Sequence, residues 1–264
     1  MLYFDTHNGL GNQLFTYAFA RSVAERFNLR LQHNAHEPCS KVSSGLRYVL
    51  PRHFDLDLNQ SGRVLQGRGT IYATRHTCPI ESIDGTRPVY LQGLYERVDQ
   101  IAPYKEKIRG WLRFKKPLDN FFPPDKGLAA HVRLGDLRMY PKHSGAILNK
   151  SFWDKAISFF QCDTISWFTD SPNDPLMREM INEFGGEIVS GGYLEDFQKM
   201  MRFKYIITNT STFSFWAAWL SDAKRIVSIA KGSSLYGGTW ALFEKSPINR
   251  EVDYWPDEER YMFI

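Results

Sequence analysis

Ala129–Arg138 reads AAHVRLGDLR, an apolar run that passes directly into Gly135, Asp136 and a second arginine. The run predicts a buried strand over about 127–134, and the glycine predicts its exit into a loop. His131 and Arg133 stand two residues apart, so a strand continuing to 133 turns both toward one face. An arginine at a strand's carboxyl end suits a phosphate, because its fork of N–H donors meets two oxygens at once. Asp136 then braces that arginine or contacts a sugar. A plainer arrangement fits the local chemistry equally well: a surface ion pair of Arg133 with Asp136, beside a core histidine.

The pattern continues downstream. Strands are predicted at about 164–169, 187–190, 204–208 and 225–230, with helices near 151–161, 174–184, 194–203 and 212–221. Ser151 with Asp154 has the form of a capping box, and Gly185-Gly186 supplies a helix stop. Alternating strands and helices predict right-handed crossovers and a parallel sheet, an α/β fold whose ligands sit at the carboxyl ends of the strands. Two further strand exits carry polar groups. In Phe168-Thr169-Asp170-Ser171-Pro172, Asp170 suits a base or sugar contact, although a helix N-cap is the preferred reading. In Ile206–Trp216, IITNTSTFSFW, the hydroxyls at a helix start suit a phosphate, while capping and core packing account for the same residues.

Upstream, Lys115–Asp125 (KKPLDNFFPPD) is the best linker in the chain. It separates a first domain, 1–115, from a second, 116–264. The first opens with the strand candidate Leu2-Tyr3-Phe4, a turn-prone stretch over 6–12, and apolar residues at helical spacing from Leu14 to Phe27. Gly9-Leu10-Gly11-Asn12-Gln13 is placed in that loop, where glycines let backbone N–H groups approach a ligand. It is neither a Walker loop nor a complete dinucleotide fingerprint, since Leu14 takes the third glycine's place, and alone it reads as a tight turn. Residues 35–68 are polar and irregular. Strands are predicted near 70–74 and 88–94, then a mostly helical stretch over 95–114 interrupted at Pro103.

Composition excludes several classes. With 43% hydrophobic and 23% charged residues among 264, the chain is not of disordered type. The net charge is only +4, from 33 basic and 29 acidic residues, and basic residues do not cluster as a nucleic-acid face requires. Cys39, Cys78 and Cys162 are isolated, which argues against a disulfide framework or a zinc site and fits a reducing compartment. No stretch reaches the about 18 apolar residues of a membrane span, and none after Met1 has the form of a signal peptide, so a cytoplasmic location is expected. The D-x-D of Asp55-Leu56-Asp57 lies in the irregular segment, away from a clear strand end.

Four of these stretches resemble one family. GLGNQLFTYAFARSVAERF resembles the N-terminal signature of the alpha-1,2-fucosyltransferases, glycosyltransferase family 11. HVRLGD is similar to their H-x-R-x-G-D motif, FTDSP to their F-S/T-D segment, and NTSTFSFWAAWL to their final motif, with Leu91–Tyr95 (LQGLY) a weaker match. Leu134 stands where a second arginine is usual, and Phe215 and Ala217 where Trp and Gly are. The resemblance implies a GT-B fold, two Rossmann-like domains facing across a cleft, with 1–115 on the acceptor side and 116–264 binding GDP-fucose. It implies GDP-fucose as donor, no metal or other cofactor, and inverting transfer of fucose to a glycan hydroxyl in alpha-1,2 linkage to galactose. Arg133 is then expected to stabilise the departing diphosphate, with His131 and Asp136 positioning the donor. Gly9, Gly11, Asn12, Gln13, Asp170, Ser211, Thr212 and Phe213 are expected to line the donor pocket. Asp5, His7 and Asp136 are the candidates for a general base. A transferase of another GDP-sugar and a non-catalytic GDP-binding module are the competing readings. The expected partners are GDP-fucose and a glycan, not nucleic acid; membrane contact at the periphery and oligomeric state stay open.

Overall fold

In the computed structural model of the chain, the residues described are 1–6, 9–33, 50, 53–56, 71–73, 79–91, 93–139, 146–229 and 256–264. His7, Asp57, Gln92, Cys39 and Cys78 lie outside them. The chain forms two compact units, the first built from Met1–Lys116 and the second chiefly from Pro117 onward, Asp257–Ile264 included.

The first unit begins with β1 (Leu2–Phe4), α1 (Leu10–Arg26) and β2 (Leu31–His33). It continues through β3 (Phe54–Asp55), β4 (Ile71–Ala73) and β5 (Val89–Leu91) to α2 (Val98–Ile101), α3 (Lys105–Trp111) and β6 (Arg113–Phe114). Four strands form a parallel sheet in the order β2-β1-β5-β4. β3 and β6 pair antiparallel, Phe54 opposite Phe114. Helix α1 is buried almost all round, so its polar residues turn inward to the backbone. Ser22 Oγ donates to Ala18 O at 2.8 Å, and Thr16 Oγ1 lies 3.1 Å from Asn12 O and 3.2 Å from Gly93 O. This helix corrects the expected glycine loop. It starts at Leu10, so Gly11, Asn12 and Gln13 occupy its first turn and Gly9 its N-cap. Leu10 and Leu14, four residues apart and both buried, carry the apolar stripe one turn earlier than the spacing from Leu14 suggests.

The second unit is the regular one. Its strands are β7 (Gly127–Val132), β8 (Thr164–Thr169), β9 (Glu187–Val189), β10 (Tyr205–Ile207), β11 (Arg225–Ser228) and β12 (Tyr261–Phe263). Between them run α4 (Gly135–Met139), α5 (Lys150–Ser158), α6 (Pro175–Phe184), α7 (Tyr193–Met200) and α8 (Thr212–Leu220). All pairings are parallel, in the order β12-β11-β10-β7-β8-β9. β7 is central and buried along its whole length. Each fully buried aliphatic side chain there contributes about 1.5–3 kcal/mol relative to exposure.

The terminators follow local chemistry. Gly185 and Gly186 end α6 at φ +71° and +90°, and a Cβ on Gly186 would meet Ile165 O at 2.2 Å. Helix α5 is capped by Asn149, whose side chain accepts from Phe152 N at 3.1 Å, rather than by the expected Ser151–Asp154 box. At the other end of the sheet, Arg260 closes α8: its Nη1 donates to Ser221 O at 2.7 Å and its Nη2 to Trp219 O at 2.9 Å. Among the described residues no helix is long and apolar enough to cross a membrane.

Candidate functional site

Counted from β7, the second sheet has the doubly wound order 3-2-1-4-5-6, which reverses direction between β7 and β10. Ligands of such sheets bind outside the carboxyl ends of the strands at that reversal. Two chain segments leave there: His131–Gly135 from β7, and Thr208–Ser211 from β10. The exit of β8, Asp170, lies beside the first.

A reciprocal pair of bonds joins the two central exits. Asn209 Nδ2 donates to His131 O at 2.7 Å, and Asn209 Oδ1 lies 3.2 Å from His131 Nδ1. The same oxygen accepts from Ser211 N at 2.9 Å, and Ser214 Oγ lies 3.2 Å away. Because a carbonyl only accepts, Asn209 presents its oxygen to the histidine, and His131 therefore carries its proton on Nδ1. Burial lowers the pKa of His131 from 6.5 to about 4, against the opposing pull of Asn209 and Asp170, so the ring is neutral near neutral pH. Phe213 packs beside it, ring centroids 5.3 Å apart, and Phe197 meets Phe213 edge-on.

Arg133 follows β7 and is half-exposed. Its Nε donates to Asp136 Oδ1 at 3.0 Å and its Nη2 to Oδ2 at 2.5 Å, a two-pronged pair with the α4 carboxylate. Leu134 is fully buried, so the position where the resemblance expects a second arginine faces apolar packing. Asp170 does not cap α6, contrary to the preferred sequence reading. Its Oδ1 accepts from Leu134 N at 2.9 Å and Gly135 N at 3.0 Å, so it caps the start of α4 instead. A Cβ at Gly135 would lie 2.8 Å from Asp170 Oδ2, so a larger residue there would push the Asp170 carboxyl aside. Asp174, with Pro175 after it, caps α6 through Leu176 N at 2.9 Å. Asp174 also pairs with Arg138, and that guanidinium holds its carboxyl below the usual carboxylate range.

Ser211 is the N-cap of α8, its Oγ accepting from Phe213 N at 3.3 Å, with Thr212 and Phe213 half-buried behind it. His131, Arg133, Asp136, Asp170 and the Ser211–Phe213 turn therefore share the carboxyl edge of the second sheet. Asn209, absent from the expected site list, is the residue that ties this edge together. Its signal was an amide directly after the apolar run of β10.

Asp5 and Gly9–Gln13 belong to the carboxyl edge of the first sheet. Gln13 is buried and turned inward, Leu50 N donating to its Oε1 at 3.4 Å, and Gly11 is buried beside it. Asn12 is half-buried. Asp5 is buried and accepts from the Tyr90 hydroxyl. Among the described residues no group of three or more His, Cys, Asp and Glu side chains gathers as a metal site.

No protein-family model matches the chain. It is similar to mouse galactoside alpha-(1,2)-fucosyltransferase 2, 26% identical over 243 residues that cover 82% of this chain and 67% of that one. Among solved structures it resembles the fucosyltransferase NodZ from Bradyrhizobium, TM-score 0.54 at 14% identity, covering 85% of this chain and 94% of that chain. A NodZ alpha-1,6-fucosyltransferase soaked with GDP-fucose gives TM-score 0.54 at 16% identity, covering 89% and 96%. At these identities the structural likeness shows the fold: α/β with parallel sheets, of the GT-B class.

Proposed function

We propose that the chain is a fucosyltransferase that moves fucose from GDP-fucose to a glycan hydroxyl with inversion, forming an alpha-1,2 linkage to galactose. The observation that carries this reading is Arg133, set at the reversal point of the second sheet with only two of its five N–H groups directed to Asp136. The names of the similar proteins support fucose as the sugar. The mouse relative supports the alpha-1,2 linkage, whereas the NodZ enzymes are named for alpha-1,6.

In the transfer, the bond from fucose C1 to the β-phosphate oxygen breaks, its electron pair leaving with GDP, as the acceptor oxygen bonds to C1 and its hydroxyl proton is released to solvent. Negative charge grows on the departing diphosphate, and Arg133 meets it with its remaining donors, an interaction stronger in the transition state than in the ground state. His131 is neutral and donates through Nδ1, so it positions the β10 exit and carries no charge to the donor. Ser211 and Phe213 form the wall that this arrangement holds in place. In this reading Arg133, not a metal ion, balances the diphosphate.

Incubation of the protein with GDP-fucose, GDP-mannose and a panel of galactosides tests the reading. The expected result is fucosylated galactoside with a 1,2 linkage by NMR, undiminished by EDTA. Transfer of mannose instead would overturn the donor, and GDP binding without transfer or hydrolysis would leave a nucleotide-binding module.

A further inference from the structure

The backbone around Arg133 is tethered by both strands that flank β7. On the β8 side the ladder runs to the end of the strand, Val132 opposite Thr169, and Asp170 Oδ1 then accepts from Leu134 N at 2.9 Å. On the β10 side the ladder stops earlier, at Ala130 opposite Ile207. The next residue of β7, His131, is met there by a side chain instead: Asn209 Nδ2 donates to its carbonyl at 2.7 Å. Asn209 is buried, and two backbone groups fix which way its amide faces. Turned over, it would set Nδ2 against Ser211 N and Oδ1 against His131 O, two like pairs that repel. One carboxamide thus clamps the exit of β7 to the turn that starts α8. It does so where the strand order reverses, the place at which such sheets open a ligand crevice.

Only Val132 lies between His131 and Arg133, so the clamp acts within about 7 Å of chain from the Arg133 backbone. Its other end reaches the donor wall. Asn209 Oδ1 accepts from Ser211 N at 2.9 Å, and Ser214 Oγ, 3.2 Å from that oxygen, lies 3.1 Å from Ser211 O. We propose that Asn209 is a positioning residue of the transfer, setting the spacing between Arg133 and the Ser211–Phe213 turn so that both meet the donor diphosphate as its charge grows. This rests on the transferase reading given above. Asn209 itself touches no reacting atom. Its effect belongs to the transition state, where bonds to the departing diphosphate strengthen and a misplacement of about 1 Å costs up to about 100-fold in rate. The ring of His131 reports on the clamp, since the same oxygen holds its Nδ1 proton.

The test compares wild type, Asn209→Ala and Asn209→Asp with GDP-fucose and phenyl β-galactoside, rates being expressed per GDP-binding site counted by calorimetry. Asn209→Asp keeps the oxygen that Ser211 N and His131 Nδ1 use but loses the donor to His131 O. Both variants are expected to lose about 30-fold in kcat while KM for GDP-fucose moves less than about 3-fold. NMR of protein labelled at the histidine ring nitrogens reads the clamp directly, the His131 signal being assigned by its absence from His131→Phe. The ring is expected as Nδ1–H in wild type and as a mixture with Nε2–H in Asn209→Ala. A merely structural role would lower the melting temperature and the number of GDP sites and leave the rate per site unchanged. That result in either variant would overturn the proposal. So would a loss carried wholly by KM, or a wild-type ring protonated on Nε2. If Asn209→Ala does not fold, the rate per site of Asn209→Asp decides. Wild type that neither transfers nor hydrolyses GDP-fucose would sink the transferase reading and this role with it, whereas an active wild type beside unimpaired variants sinks the role alone.

Discussion

At the carboxyl edge of the second sheet the charged groups are matched in place: Arg133 with Asp136, Arg138 with Asp174, Asp170 with two backbone N–H groups. At the same edge of the first sheet, Asp5 and Glu96 are withdrawn from solvent, and one oxygen of Asp5 has nothing donating to it. The first arrangement balances charge within itself, each charged group having a partner at the same edge. The second leaves one buried carboxylate oxygen without a donor. A sheet of six parallel strands with three-residue to six-residue partners can hold such a network, because each exit is tied to the next one.

The comparison breaks first at Arg133. If the second edge exists to present its guanidinium, Arg133→Ala costs about 2–4 kcal/mol of transition-state stabilisation, roughly 30- to 10³-fold in single-turnover transfer. Near wild-type turnover would return Arg133 to the status of a surface ion pair. The next test is pH. The unfolded chain protonates His131 near 6.5 and the folded chain at about 4, so between those values the unfolded state holds more protons. The stability that the neutral ring contributes is fully present above 6.5 and is lost as pH falls toward 4, on the order of 3 kcal/mol in all. Denaturant titrations across that window should show this slope in wild type and a flatter one in His131→Phe. A slope unaltered by that substitution would mean that the ring is not buried in its neutral form. The smallest effect concerns the outer tether. Asp174→Ala removes the α6 cap and the Arg138 pair, costing about 1 kcal/mol in stability. GDP affinity measured alongside should not change, and a large fall in it would extend the site to α6.

Much of the second unit was legible because its strands are short apolar runs bounded by turn residues. β7, β8 and β10 fall within the predicted spans, and Gly185-Gly186 ends α6 as read. What escaped was whatever tertiary contact decides. Helix α4 has five residues and begins on a glycine, so propensity gives no sign of it; it forms because Asp170 reaches across from β8. β12 is a half-buried strand of three residues at the sheet's edge, too short to show a period. Asp170 and Asp174 are equally plausible caps by composition, and the proline after Asp174 was the available discriminator. In the first unit the glycines drew attention to a loop, yet the burial of Leu10 put Gly11, Asn12 and Gln13 into a helix. Asp5 was legible only as an acidic residue after a strand. Its bond to Tyr90 depends on pairing across 85 positions of chain, which no local pattern reports.

The Arg260 clasp bears on how the protein is handled at the bench. Arg260 joins the last carbonyls of α8, the helix whose first turn holds Ser211 and Phe213, to the strand that precedes Ile264. Removing residues 260–264 in a cloning design would strip an edge strand and expose β11, and would leave the carbonyls of Trp219, Ser221 and Ala223 to find other donors. A preparation that has lost this strand deserves a mass spectrum before its inactivity is blamed on the chemistry.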